Sequence, residues 1–188
     1  MMSKAMMKGK GHDKGAHIRP EPEDLTQTSE VNADGSVLVT TSFTGRDGEE
    51  QSRSFTIADN DSGGVVINTA NTDDSRSKSV TFSEDADDGG IDIDISCLTE
   101  EGETKSRHIE LDMNDDGTIA MAVTFTREGE EITHSHDIEV AKLLGEEGEE
   151  LTMAEVVESY LERHHIDDSS IDLTGINNLT SDADSMFI

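Results

Sequence analysis

Tryptophan is absent from this sequence, tyrosine and cysteine occur once each, and proline occurs twice. With five phenylalanines as the remaining aromatics, a core has to come from aliphatic side chains and methionine. The large rings that anchor tight interfaces are scarce. The single cysteine, Cys97, excludes an intramolecular disulfide framework and a cysteine-based zinc cluster. It continues the alternation Ile91, Ile93, Ile95 and is therefore expected to be a buried, inert thiol. Positive charge is also scarce: 14 Lys and Arg stand against 43 Asp and Glu, a formal net charge of −29. Nucleic-acid binding draws its affinity from cationic side chains on phosphates, so that class of partner is excluded. Acidity of this degree favours cations, basic partners and solubility instead. No stretch approaches the ~18 apolar residues of a membrane span. The opening MMSKAMMKGKGHDKGAHIRP is basic but lacks an apolar run, so it does not read as a secretory signal peptide.

What the chain does have is one phrase written four times. SRSFTI at 52–57, SKSVTF at 77–82, SRHIEL at 106–111 and SHDIEV at 135–140 begin on serines 25, 29 and 29 residues apart. Each follows an alternating run: Val37/Val39/Phe43, Val65/Ile67, Ile91/Ile93/Ile95/Cys97 and Ile119/Met121/Val123/Phe125. Alternation with period two places the apolar residues of a strand on one face, so each copy reads as a β-hairpin. Acidic turns, most of them carrying glycine, separate run from phrase and copy from copy. Short connections make successive strands antiparallel neighbours. Such a unit buries its face only against its neighbours.

The sequence thus predicts a mainly β fold. It is an antiparallel meander of four hairpin repeats, about eight strands, closed as a barrel or folded as a sandwich, with one C-terminal α-helix and disordered tails. Residues 1–33 read as a disordered tail, basic at first and acidic later, and 34–141 as the repeat domain. Residues 142–166 form a linker and amphipathic helix. Within it Thr152-x-x-Glu155 has capping-box spacing ahead of Val156, Val157, Tyr160 and Leu161. Residues 167–188 read as a polar C-terminal tail. The apolar face needs a cover, and the helix is available to supply it.

Three constellations carry candidate chemistry. Asp112-x-Asn114-x-Asp116-Gly117 has the oxygen spacing of the first half of an EF-hand loop, so the expectation is no cofactor, with calcium as the alternative at this turn. The same residues are also ordinary hairpin-turn chemistry, and the twelfth position is Val123 rather than a bidentate Glu. His134-x-His136 on a strand sends both imidazoles from one face, a spacing that transition metals use. The repeat offers a plainer account: His136 aligns with Arg53, Lys78 and Arg107, and His134 with Gln51, Arg76 and Lys105. Every copy places basic or polar residues at the entry of its second strand. Long side chains there keep their charges at a rim while their stems cover apolar surface. In a closed barrel, Arg53, Lys78, Lys105, Arg107, His134 and His136 would ring a mouth suited to an anionic-headed apolar ligand. Internal pairing with acidic turn residues competes with that reading. His164 and His165, at the end of the helix, are expected to favour its C-terminal dipole. No phosphate-binding glycine loop, GxSxG or HExxH occurs.

The ending Asp184-Ser185-Met186-Phe187-Ile188, an acidic residue followed by a short apolar run after Leu179-Thr180, resembles the C-termini of bacterial proteins exported by type I ABC transporters. That resemblance implies an extracellular location reached without a signal peptide, with the cytoplasm as the alternative. The sequence as a whole predicts a non-enzymatic, acidic β-repeat protein with an interaction or structural role, through an unidentified protein partner or self-association. A small barrel carrying an anionic-headed apolar ligand and a calcium-stabilised extracellular module are the alternatives.

Overall fold

The computed structural model describes residues 24–44, 48–71, 77–85, 89–99, 102–127, 130–140, 143 and 151–180. Nine antiparallel strands form one sheet in strict sequence order: β1 (Thr26–Val31), β2 (Val37–Thr44), β3 (Glu50–Asp59), β4 (Val65–Asn71), β5 (Ser77–Glu84), β6 (Ile91–Leu98), β7 (Thr104–Met113), β8 (Thr118–Arg127) and β9 (Glu130–Glu139). The four expected hairpins are β2–β3, β4–β5, β6–β7 and β8–β9. The sheet is open rather than closed into a barrel or folded into a sandwich, with β1 and β9 at its edges.

Register follows from the alternation. Val39 faces Phe55, Ile57 faces Ile67, Ile67 faces Val80 and Ile91 faces Leu111, so inward residues of neighbouring strands form continuous rows. Phe55, Ile57, Val80, Phe82, Leu111 and Val140 of the repeated phrase are buried, whereas Ile109 and Ile138 are only half-buried. Tight turns hold the register. Between β1 and β2, Asn32 N–H donates to Ser36 O (2.8 Å) and Gly35 N–H to Asn32 O (3.1 Å), with Gly35 at φ +85°. Asn114–Thr118 repeats this geometry between β7 and β8. Left-handed backbone at the last loop residue suits glycine and closes a three-residue hairpin.

Strand β1 lies inside the stretch expected to be a disordered tail. It reads TQTSEV, without apolar alternation, because what its inner face meets is polar. Gln27 Nε2 donates to Asp167 O (2.8 Å), and its Oε1 accepts from Asp167 N–H (2.9 Å). The C-terminal segment likewise departs from the expected disordered tail over residues 167–180. A 3₁₀ turn (Asp168–Ser170) follows Ile166, and a short helix α2 (Asn177–Thr180) follows Ile176. Both isoleucines are buried, and Ile171, Leu173 and Leu179 pack on the core. These five scattered aliphatic residues suffice for docking without producing a periodic signal. Residues 1–23 and 181–188 lie outside the described residues.

The expected helix is α1 (Met153–Arg163), with Thr152 as N-cap and the reciprocal capping box in place. Thr152 Oγ1 accepts from Glu155 N–H (3.3 Å), while Glu155 Oε2 accepts from Thr152 N–H (3.1 Å). Its buried residues include Met153, Val156, Val157 and Leu161. Tyr160 meets Phe82 of β5 edge-on at 5.6 Å, and His164 meets Phe55 of β3 at 5.8 Å. The chain then passes β1, and Asn177 and Asn178 reach Asp59 and Gly64 at the β3–β4 turn. Helix and C-terminal segment pack on one core cluster that runs from β2 to β8 and takes in Ile91, Ile93, Leu111 and Ile119 at one end of β6–β8.

Candidate functional site

The other end of β6–β9, beyond the buried Ile91, Leu111 and Ile119, has a different character. Ile95, Ile109, Val123, Phe125 and Ile132 are only half-buried there, and Lys105, Arg107, His134 and His136 are exposed among them. The register explains the mixture. Arg107 lies between Ile95 and Phe125 on its flanking strands, Val123 faces His134, and Met121 faces His136. His134 stacks on Phe125 at 5.7 Å. Four of the six expected rim residues thus share one open surface.

The other two belong to the covered half. Arg53 lies over the Phe43 ring at 5.7 Å, while Lys78 lies over Tyr160 at 4.9 Å and donates to its hydroxyl at 3.2 Å. Among the described residues these cations are thus matched to rings. The rim is split, because an open sheet has no mouth to gather it. His164 sits beside the pair, and its pKa is lowered to about 4 by burial first and then by Lys78, Arg53 and His165. The expected dipole effect is outweighed: His164 caps α1 as a neutral ring. Cys97 is half-buried, between Lys78 and Lys105 on the flanking strands, rather than enclosed.

Charge separates across the sheet. In β6–β9, alternation puts Asp92, Asp94, Glu110, Asp112, Glu131, Asp137 and Glu139 on the face opposite the rim. Within β6–β9 only Glu130, among the described acidic residues, shares the face of Lys105, Arg107, His134 and His136. In a chain of net charge −29, this half-face is a cationic and apolar surface.

The opposite face carries a cluster that the sequence reading missed. Asp94 pairs across with His108, and Asp92 with Glu110. His108 Nδ1 lies 2.9 Å from Asp94 Oδ1, and Nε2 lies 3.6 Å from Asp92 Oδ1 and 3.4 Å from Glu110 Oε1. Burial alone would lower the His108 pKa, but Asp94, then Asp92 and Glu110, outweigh it and the net direction is upward. Burial raises Asp92, His108 opposes the rise, and Asp85, Glu110 and Asp94 add to it. A recess of about 140 Å³ lined by Asp85, Gly90, Asp92, Glu110 and Asp112 adjoins the cluster. Gly90 allows the strands to close there, since a Cβ would stand 2.9 Å from Leu111 O and 2.3 Å from Asp112 Oδ1. The signal was available as DID beside HIE, two i, i+2 sets on paired strands.

The proposed calcium ligands are directed to different partners. Asp112 lines that recess. Asp116 accepts from Thr118 N–H (3.0 Å) and Thr118 Oγ1 (2.6 Å), which lowers its pKa, and Asn114 Nδ2 donates to the same hydroxyl. Asp34 with Ser36 and Asp172 with Thr174 make the same self-contained bonds. Another recess, of about 250 Å³, is lined chiefly by residues such as Ser54, Thr56, Asn68, Ser79 and Ser96, and not by the Arg107 rim. No helix among the described residues is long and apolar enough to cross a membrane. Comparison with protein-family models, curated proteins and solved structures finds no match to the chain.

Proposed function

We propose that the chain is a non-enzymatic interaction protein that binds an apolar, carboxylate-bearing segment of a partner protein on the half-exposed end of β6–β9, around Arg107 and Phe125. The observation that carries this is the segregation of Lys105, Arg107, His134 and His136 onto a half-buried aliphatic surface of an otherwise acidic molecule. Apolar area supplies affinity in such a surface, and local charge selects the partner and its orientation. Edge pairing through β9 is a weaker mode, because Glu130, Glu131, Asp137 and Glu139 line that strand and charged edges resist strand addition. The acidic-then-apolar ending at Asp184–Ile188 supports export of the protein to where such a partner would be met.

A panel of short peptides, measured against the full chain by fluorescence anisotropy, tests the reading. Peptides mixing Glu with Leu and Ile should bind, and peptides with Lys in place of Glu should not. Reversing two surface charges, Lys105→Glu with Arg107→Glu, should weaken the acidic peptides by roughly tenfold or more. A preference for the basic peptides, or indifference to the charge reversal, would refute the assignment.

A further inference from the structure

The cluster on the opposite face goes beyond a partner surface. We propose that Asp92, His108 and Glu110 bind a divalent transition-metal ion, with Asp94 as the residue that orients His108. The three donors come from adjacent strands, where direct cross-strand pairing and two-residue spacing bring one atom of each within 4.8 Å of the others. With the proton on Nδ1, Asp94 at 2.9 Å accepts its hydrogen bond, and that tautomer leaves the Nε2 lone pair facing the two carboxylates. A metal-ligating histidine almost always has such a carboxylate or carbonyl behind it, which fixes both tautomer and ring orientation.

The separations fit an ion better than they fit hydrogen bonds. A charge-assisted N–H···O bond closes to about 2.7–2.9 Å, whereas Nε2 stands 3.6 Å from Asp92 and 3.4 Å from Glu110. Around a four-coordinate ion with bonds of about 2.0–2.2 Å, neighbouring donors lie roughly 3.3–3.6 Å apart. Both imidazole–carboxylate separations stand near those spacings before any ion arrives, and all three donors lie within 4.8 Å of one another. Two carboxylates balance the divalent charge, and Asp85 and Asp112 in the adjoining recess deepen the negative potential at its approach. Water would complete the shell, since the Glu110 and His108 side chains are 55% and 35% exposed. One nitrogen and two oxygens suit zinc or a similar borderline ion. Calcium, which takes six to eight oxygens, gains nothing from the imidazole.

Zinc titration of the full chain at neutral pH, followed by calorimetry and by the imidazole ¹H–¹⁵N resonances, decides it. Saturable binding of one ion is expected, with His108 the first ring perturbed. His108→Ala, Asp92→Asn and Glu110→Gln should abolish that event while far-ultraviolet dichroism stays unchanged. Asp94→Asn should weaken it by roughly 10–100-fold without removing it, as loss of an orienting partner does. A His134→Ala/His136→Ala double variant should bind as the wild type does. Absence of saturable binding, an isotherm insensitive to His108→Ala, or first perturbation at another histidine would overturn the site. Calcium binding of equal strength that survives loss of the imidazole would overturn the metal class. If His108→Ala unfolds, the ring resonances of the wild type and the Asp94→Asn affinity still decide between these outcomes.

Discussion

Acidification should weaken the contact between α1 and the sheet through one ring, His164. Its folded pKa of about 4 lies below the ordinary 6.5 because burial disfavours the cation and Lys78, Arg53 and His165 repel it. Phe55 at 5.8 Å and Tyr160 at 4.5 Å enclose the neutral ring. Above pH 6.5 the ring is neutral in folded and unfolded chains alike, and its titration contributes nothing. Between 6.5 and 4 the unfolded chain takes up a proton that the folded chain refuses, so stability falls as pH drops through this window. The ring keeps some solvent contact, which reduces the loss to about 1–2 kcal/mol. Acid also neutralises many carboxylates, so the effect has to be read as a difference. Urea unfolding of wild type and His164→Phe at pH 7.5 and 4.5 isolates it, because the other titrating groups are common to both. The variant's stability relative to wild type should rise by about 1–2 kcal/mol on acidification. A difference that stays flat, or moves the other way, would show that His164 titrates normally and refute the buried-ring account.

The half-covered sheet predicts unequal costs for similar truncations. Phe55→Ala, beneath α1, should lose about 3–5 kcal/mol in chemical denaturation, and Phe125→Ala, on the open half, clearly less. Gly90→Ala should destabilise by about 1–3 kcal/mol, because its Cβ would press on Leu111 O and force β6 from β7. Deleting Asp184–Ile188 should keep the protein inside a producing cell fitted with a type I exporter. Equal export of both forms would remove the reason for invoking that route.

Strand order and register were legible because alternation is a direct record of burial: Val37, Val39, Phe55 and Ile57 alternate and are buried. The helix was legible for the same reason, and Thr152 with Glu155 marked its start. Closure was not legible, since nine strands in a row expose the same apolar pattern whether the sheet closes or a helix covers half of it. Strand β1 was hidden because Gln27 bonds to backbone at Asp167, a contact that leaves no hydropathy signature. The rim residues were found one by one, yet their separation into Arg53 and Lys78 under α1 and the other four on the open face depends on where the helix lands. The His108 cluster needed the pairing of β6 with β7, because Asp92 and Glu110 are 18 residues apart in sequence and opposite each other in the sheet.

The central claim is that the open half of the apolar face is where a partner binds. Nuclear magnetic resonance of the isotope-labelled full chain, titrated with an acidic Leu/Ile peptide, tests it residue by residue. The account predicts shifts concentrated on the methyl groups of Ile95, Ile109, Val123 and Ile132 and on the Arg107 guanidinium, with Val156 and Leu161 on the buried face of α1 unmoved. Shifts centred on the opposite face, around Asp92 and Glu110, or spread evenly over the sheet would contradict it.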